Sequence, residues 1–203
     1  MPKTSPTYDR PRLILASASP RRRDLLKQIG IVPDEIIAPQ VDETARPQEK
    51  PAALAGRLAE AKASAVAASA PGCLVLGADT VVACGRRVLP KAANADEARR
   101  ALTLLSGRRH RVYGGICVIG VNARIYHRVV TTVVSFKRME TREIEQYIAS
   151  DEWRDKAGGY AVQGWAAVFV SKIIGSYSNV VGLPLFETAA LLNGLGYPAD
   201  WHG

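Results

Sequence analysis

A mixed α/β domain, with a partly antiparallel central sheet flanked by helices, is the fold the sequence predicts. Three observations carry it. A short apolar run over residues 12–16 leads through Ser17-Ala18-Ser19-Pro20 into a helical pattern, so strand, Ser-rich turn and helix follow one another. Residues 73–77 are apolar without polar alternation, as in a strand covered on both faces. Two long β segments, 111–119 and 124–137, are joined by Gly120-Val121-Asn122-Ala123, a hairpin signal. The 203 residues suffice for one compact domain. We expect that domain over residues 12–203, behind a flexible tail rich in Pro and charge at residues 1–11.

Taken in order, Ser19 stands where a helix N-cap is expected and Pro20 at the first helical position. Leu25, Leu26 and Ile29 recur at helical spacing, and Gly30 stops the helix. Residues 35–41 read as a second strand. The next helix, 51–69, is Ala-rich, with Leu54, Leu58, Ala61 and Ala65 assigned to its inner face, and Pro71-Gly72 ends it. The strand beginning at Cys73 is expected to stop at Gly77, pass through Ala78-Asp79-Thr80 and resume at 81–83, before a turn at Gly85-Arg86. Asn94 caps a helix whose first turn carries Asp96 and Glu97, as the helix dipole favours. It ends near Ser106-Gly107. After the hairpin come a helix from Thr141 to Ser150 and a polar, Gly-containing stretch, 151–160. A β segment at 165–173 and a loop at 175–182 follow. Pro184 opens a last helix with Leu185, Ala189 and Leu192 on one face.

Hydrophobic residues make up 47%, which excludes a wholly disordered chain. No run approaches the ~20 apolar residues of a membrane helix, and the N-terminus lacks a signal-peptide core. A cytoplasmic protein without a membrane partner is therefore expected. Cys73, Cys84 and Cys117 are odd in number and form no Cys-x-x-Cys pair, so they read as reduced thiols. A net charge of +8 suits polyphosphates or nucleic acid, or simply a solvated basic surface. Aromatics are only 6% and none interleaves with Arg21-Arg22-Arg23, which argues against a stable nucleic-acid partner.

Five places could carry chemistry. Ser17-Ala18-Ser19-Pro20-Arg21-Arg22-Arg23 sets hydroxyls and arginines at a helix N-terminus, where free N–H groups favour phosphate. At most two of the three arginines can face one ligand. Asp79, following an apolar strand, is placed to hold a cation or accept a proton from water at the carboxyl edge of a sheet. Asp42-Glu43, expected at the end of the second strand, could add a second carboxylate. Lys62, in its Ala-rich helix, and Lys91, after a turn, could neutralise phosphate charge. The stretch from Asp155 to Gly164 has glycines for close backbone approach, and Gln163 has an amide that both donates and accepts. Each also has a plain structural reading, as an N-cap, a turn Asp, a solvated acidic loop, surface lysines or a connector.

Read in order, these pieces resemble the Maf family of nucleotide pyrophosphatases, which is related in fold to the house-cleaning inosine triphosphate pyrophosphatases. The resemblance rests on Leu15-Ala16-Ser17-Ala18-Ser19-Pro20-Arg21-Arg22, Val41-Asp42-Glu43, Lys62-Ala63, Gly77-Ala78-Asp79-Thr80-Val81-Val82 and Leu104-Leu105-Ser106-Gly107. It is completed by Asp155-Lys156-Ala157-Gly158-Gly159-Tyr160 and Val180-Val181-Gly182-Leu183-Pro184-Leu185. It implies an elongated fold with a deep cleft, often dimeric, and hydrolysis between the α- and β-phosphates of a nucleoside triphosphate with a divalent cation, Mg²⁺ or Mn²⁺. By position, Asp79 resembles the catalytic acceptor and Glu43 a polar cleft residue, and the two carboxylates are expected to hold the cation together. Lys62 and Lys91 resemble polar cleft residues, Ser17 and Arg22 belong to the phosphate-binding start of the helix, and Arg21, Thr80 and Gln163 resemble positions that set substrate choice. Lys156 before Ala157-Gly158, and Gln163 before Gly164, resemble the branch acting on dTTP and UTP. Two departures stand out: Lys91-Ala92 where Lys-Pro is usual, and Gly114 where a Thr is common. The readings set against an enzyme are a nucleotide-binding regulator of cell division without catalysis and a nucleic-acid-binding protein.

Overall fold

The computed structural model describes residues 10–198. Most of the expected tail lies outside them. Of its last two residues, Arg10 pairs with Asp34 at 3.5 Å and stacks over the Tyr197 ring.

Seven strands form one sheet. β1 (Leu13–Ala16) lies between β2 (Glu35–Ile37) and β3 (Leu74–Cys84), parallel to both. Beyond β3, the strands β5 (Arg109–Ile119), β6 (Ile125–Phe136) and β7 (Val170–Ile174) continue antiparallel. The short β4 (Arg87–Leu89) folds back on the end of β3. The mixed, partly antiparallel sheet is the one the sequence predicts, with the hairpin at the expected place.

Alternation along β3 assigns the two faces. Val75, Gly77 and the partnered Cys117 and Ile119 pack with Ala59, Ala63 and Val66 of α2 (Pro51–Ala67). Leu74, Leu76, Ala78 and the partnered Ile116 and Val118 pack on the other face. There they meet Leu25 and Leu26 of α1 (Pro20–Gln28) and Leu192 of α6 (Leu185–Gly194). Farther along that second face, Val82, Val112 and Val134 form a separate core with α3 (Ala95–Leu105) and α4 (Thr141–Ala149), including the buried Trp153 and Tyr147.

The structure corrects several local expectations. β2 stops at Ile37, two residues before Pro39, so it does not reach 41, and Asp42-Glu43 lies in an irregular segment. β3 does not break at 78–80. Its pairing with β5 is continuous from Val75 to Ala83, which carries Asp79 inside the strand. The inner face of α2 is Leu54, Ala55, Leu58, Ala59, Lys62, Ala63 and Val66, whereas Ala65 is exposed. Alanine satisfies either face, so periodicity in an Ala-rich helix does not fix it. Residues Trp165–Phe169 are a 3₁₀ helix, and only Val170–Ile174 is strand. The expected loop holds the one-turn α5 (Tyr177–Val181), capped by the Ser176 hydroxyl accepting from Asn179 N. Pro184 is the N-cap of α6 rather than its first residue. Cys117 is buried, with its thiol pushed up to about 12 by burial, while Cys73 and Cys84 are half-buried.

Candidate active site

On one edge of β3, β1 covers residues 74–77 and β4 covers 82–84, leaving the stretch between them open. β1 ends opposite Gly77, so Asp79 lies two residues beyond the end of its parallel neighbour. The carboxyl-edge rule thus holds for β1 although Asp79 is internal to β3. A cleft of about 410 Å³ opens at this window. Ser17, Arg21, Arg22, Glu43, Lys62, Asp79, Thr80, Lys91 and Gln163, the nine residues expected to act on substrate or metal, line it, whereas Asp42 and Arg23 of the same motifs do not.

Its acidic centre depends on how closely α2 approaches the sheet. A Cβ on Gly77 would overlap the Ala59 carbonyl oxygen, and one on Gly115 the Ala55 carbonyl oxygen. Gly115 is the cross-strand partner of Asp79, so the bare backbone that admits α2 lies directly beside the carboxylate. Lys62, buried on the inner face of the helix, donates to Asp79 Oδ1 at 2.6 Å and lies 2.6 Å from Glu43 Oε1. Two carboxylates from distant chain segments therefore converge on a single cation. Burial pushes the Glu43 carboxyl up, but its hydrogen bond to Lys62 and the charges of Lys62, Lys91 and Arg22 together leave it below the ordinary range.

On the opposite face of β3, Thr80 meets α1. Arg22 is buried and donates through Nε to Gly182 O (2.9 Å), through Nη1 to Ser17 Oγ (2.9 Å) and through Nη2 to Thr80 Oγ1 (3.2 Å). Its guanidinium is thus tied to protein oxygens and welds α1, β3 and the turn before α6. Ser19 occupies the N-cap position, yet its hydroxyl makes no capping bond, and its N–H donates to Ser17 Oγ at 3.2 Å. Arg21 reaches across the mouth to the Asp155 carbonyl at 3.3 Å. Burial lowers its guanidinium pKa, partly offset by the Asp155 charge. Arg23 points away and pairs with Asp24.

The far wall is the segment 155–163. It docks by an isolated bridge between Lys91 and Ala157, and Gly158 N donates to Leu89 O at 3.0 Å. Beneath it, Tyr160 OH lies 2.8 Å from Nε2 of the buried His110, and Ala161 N donates to Tyr147 OH at 3.0 Å. Rings of His110, Phe136 and Tyr160 meet edge to face. Gln163 is exposed at the end of this wall.

Lys156, which the sequence marks only through its resemblance to one branch of the family, also lines the cleft, as do Asp155 and Tyr160, to which sequence reasoning assigned no role within their motif. Burial, then the charge of Arg21, lowers the Lys156 pKa. Of the two departures, Ala92 packs half-buried against the core of Val82, Val112 and Val134, and Gly114 has a cause. A Cβ there would collide with the side-chain oxygen of buried Asn179, whose amide donates to Val112 O, Val130 O and Thr132 Oγ1.

No group of three or more His, Cys, Asp or Glu residues that could hold a metal occurs among the described residues. The available set is the Asp79–Glu43 pair, hard oxygen donors that already converge on one positive charge, which suits a cation completed by substrate oxygens and water. Among the described residues no helix is long and apolar enough to cross a membrane.

The chain is similar to several curated proteins named dTTP/UTP pyrophosphatase. That of Paramagnetospirillum magneticum is 61% identical over 91% of this chain and 97% of its own. That of Rhodospirillum rubrum is 58% identical over 91% and 88%, and that of Maricaulis maris 56% over 98% and 95%. A solved nucleoside-triphosphatase / dITP/XTP pyrophosphatase from Mycobacterium abscessus covers 90% of this chain and 94% of its own, at 14% identity and a TM-score of 0.44, too loose a likeness to carry an argument. The Maf-like protein family model matches residues 12–195, and on that match, together with these relatives, the chain belongs to the Maf family.

Proposed function

We propose that this chain is a nucleoside triphosphate pyrophosphatase that hydrolyses dTTP and UTP to the monophosphate and pyrophosphate. The observation that carries the reading is the Lys62 ammonium lying 2.6 Å from both Asp79 and Glu43, inside a cleft that brings five cationic side chains against three carboxylates. A net positive, partly enclosed groove with a convergent acidic centre matches a polyphosphate and its counter-ion. The relatives described above, which span nearly the whole chain, carry the name of this activity.

In this reading Asp79 and Glu43 would hold Mg²⁺ or Mn²⁺. When bound, the ion neutralises phosphate charge and polarises the α-phosphoryl group. Asp79, fixed within a paired strand, orients the attacking water and accepts its proton. Lys62, Lys91 and Arg21 spread over the phosphates and stabilise charge on the departing pyrophosphate. Ser17 Oγ already accepts from Arg22 and from Ser19 N, which leaves its O–H to donate to a phosphate oxygen. Arg22 positions Ser17 and Thr80. Thr80 and Gln163 contact the base. A homodimer and a cytoplasmic location are carried with this reading on family membership alone.

The test is a panel of nucleoside triphosphates incubated with Mg²⁺ or Mn²⁺, with products resolved by chromatography. dTTP and UTP should yield the monophosphate and pyrophosphate. Asp79→Asn should lower turnover about 10²–10⁴-fold with the fold retained. Full turnover in that variant would remove Asp79 from the mechanism, and release of orthophosphate with the diphosphate would overturn the reaction itself.

A further inference from the structure

Glu43 is delivered to the centre by residues 38–50, a segment without helix or strand. Its own backbone does little to fix it: Asp42 accepts from Thr44 N, and Glu49 N donates to Arg46 O. The outside grip comes from Arg57 on α2. Its Nε donates to Glu49 Oε1 at 2.7 Å, and its Nη2 to Glu49 Oε2 at 2.8 Å and to the carbonyl of Thr44 at 3.0 Å. Thr44 directly follows Glu43. Glu49 Oε2 also accepts from Arg46 N at 3.0 Å, so one carboxylate ties the C-terminal half of the segment to Arg57.

We propose that the Arg57–Glu49 pair is a positioning clasp that sets how far Glu43 reaches into the cleft; this rests on the reading of Glu43 as part of the active centre. Arg57 and Lys62 share one helix, about 7.5 Å apart along its axis. That helix therefore holds the loop twice, at the backbone beside Glu43 and at the carboxylate tip of Glu43. It is itself seated on the sheet at Gly77 and Gly115, next to Asp79. Loop, helix and strand thus form one rigid path between the two carboxylates. An ordinary surface pair would carry no such role, since it gains little and wanders. This one is a two-pronged fork, with side chains only 21% and 9% exposed. The Arg57 hydrogen bonds, with that from Arg46 N, hold the Glu49 carboxyl down at about 2. Arg57 does not line the cleft and touches no reacting group, so its part is positional.

The test combines steady-state dTTP hydrolysis with amide hydrogen exchange over residues 42–49, for Arg57→Ala, Arg57→Lys, Glu43→Gln and the double variant Arg57→Ala/Glu43→Gln. Arg57→Ala should speed exchange at Thr44 and lower kcat/KM about 10–100-fold, the usual cost of a displaced group. It should cost nothing further in the Glu43→Gln background. Arg57→Lys, which keeps the charge but not the fork, should recover only part of the loss. Unchanged exchange at Thr44, or losses that add in the double variant, overturns the clasp. If the unaltered protein fails to hydrolyse dTTP, the functional reading falls, and exchange at Thr44 alone decides the clasp.

Discussion

Lys62, Asp79 and Glu43 occupy one end of the cleft on or beside regular elements whose spacing is set by backbone meeting backbone, α2 against Gly77 and Gly115. Gln163 and Lys156 occupy the other end on an irregular segment propped from below by His110, Tyr160, Phe136 and Tyr147. The first end has two carboxylates sharing one ammonium, and a shift of an ångström would part them. The second has aromatic packing, the bridge at Ala157 and hydrogen bonds at Asp155, Gly158, Tyr160 and Ala161, which fix the segment and leave its exposed tip adjustable. Lys62 and Asp79 thus sit where the fold admits least movement, and Glu43 is held to them through Lys62. Groups proposed to face the base sit where a change alters recognition without moving the acidic centre.

The strongest way to break this contrast is to lift α2 off the sheet. In Gly115→Ala the new methyl overlaps the Ala55 carbonyl, and backbone cannot rotate away as a side chain can. We expect a loss of about 3 kcal/mol, the upper end of what overpacking usually costs, or a fall in Tm of roughly 10 °C. Turnover should fall at least tenfold even at temperatures where the variant is folded, because Lys62 leaves Asp79. Calorimetry with dTTP hydrolysis below the transition checks both. Full turnover in a folded variant would show that the glycine contact does not set the ion pair.

The other end should respond to acid instead. His110 is 2% exposed, and burial pushes its imidazole down from 6.5 to about 4. Nε2 meets Tyr160, and Nδ1 has no partner among the described residues. The folded protein therefore keeps the ring neutral where the unfolded chain would bind a proton. The contribution is fully present above pH 6.5 and is lost as pH falls toward 4. The loss amounts to roughly 2–3 kcal/mol. His110→Gln retains a partner for Tyr160 and cannot titrate there. Denaturant unfolding at pH 7 and pH 4.5 should show the unaltered protein losing that much more than the variant. Equal losses would remove His110 as the source.

How much of this was legible in the sequence differs between the same two regions. The strand–turn–helix start, the hairpin and the Asn94 cap, whose side chain accepts from Glu97 N at 2.9 Å, are local signals and appear where expected. Asp79 was legible as a residue but not in its setting. An acidic side chain looks like the end of an apolar strand unless one knows that Gly115 lies opposite and Lys62 covers it. Neither partner is near in sequence. Arg57 stood in the same Ala-rich helix that drew attention to Lys62, yet only the folded loop reveals that it grips Glu49. At the other end, Trp165 and Val168 gave an apolar run that reads as strand, while both are exposed on a 3₁₀ turn whose first N–H is held by Glu152. Composition carries no record of that capture. The gathering of residues from Ser17 to Gln163 into one cleft came from the order of the family motifs, since no periodicity spans such distances.

The smallest effect should come from the exposed tip itself. An amide at 163 can donate to the O4 carbonyl of uracil or thymine and accept from N3–H. A carboxylate can only accept, so Gln163→Glu keeps the second contact and turns the first into a repulsion between oxygens. A guanine edge instead offers N1–H and the N2 amino group, two donors side by side, which a carboxylate matches. The variant should lose about tenfold in kcat/KM for dTTP and UTP, roughly the worth of one hydrogen bond, and gain relative preference for 7-methyl-GTP. Its Tm should stay unchanged, because the side chain packs on nothing that the fold needs. Competition between UTP and 7-methyl-GTP in one vessel reads the ratio directly. An unaltered ratio would mean that the base is read elsewhere on the cleft wall, with Thr80 and the Tyr160 side of the segment as the groups left to do it.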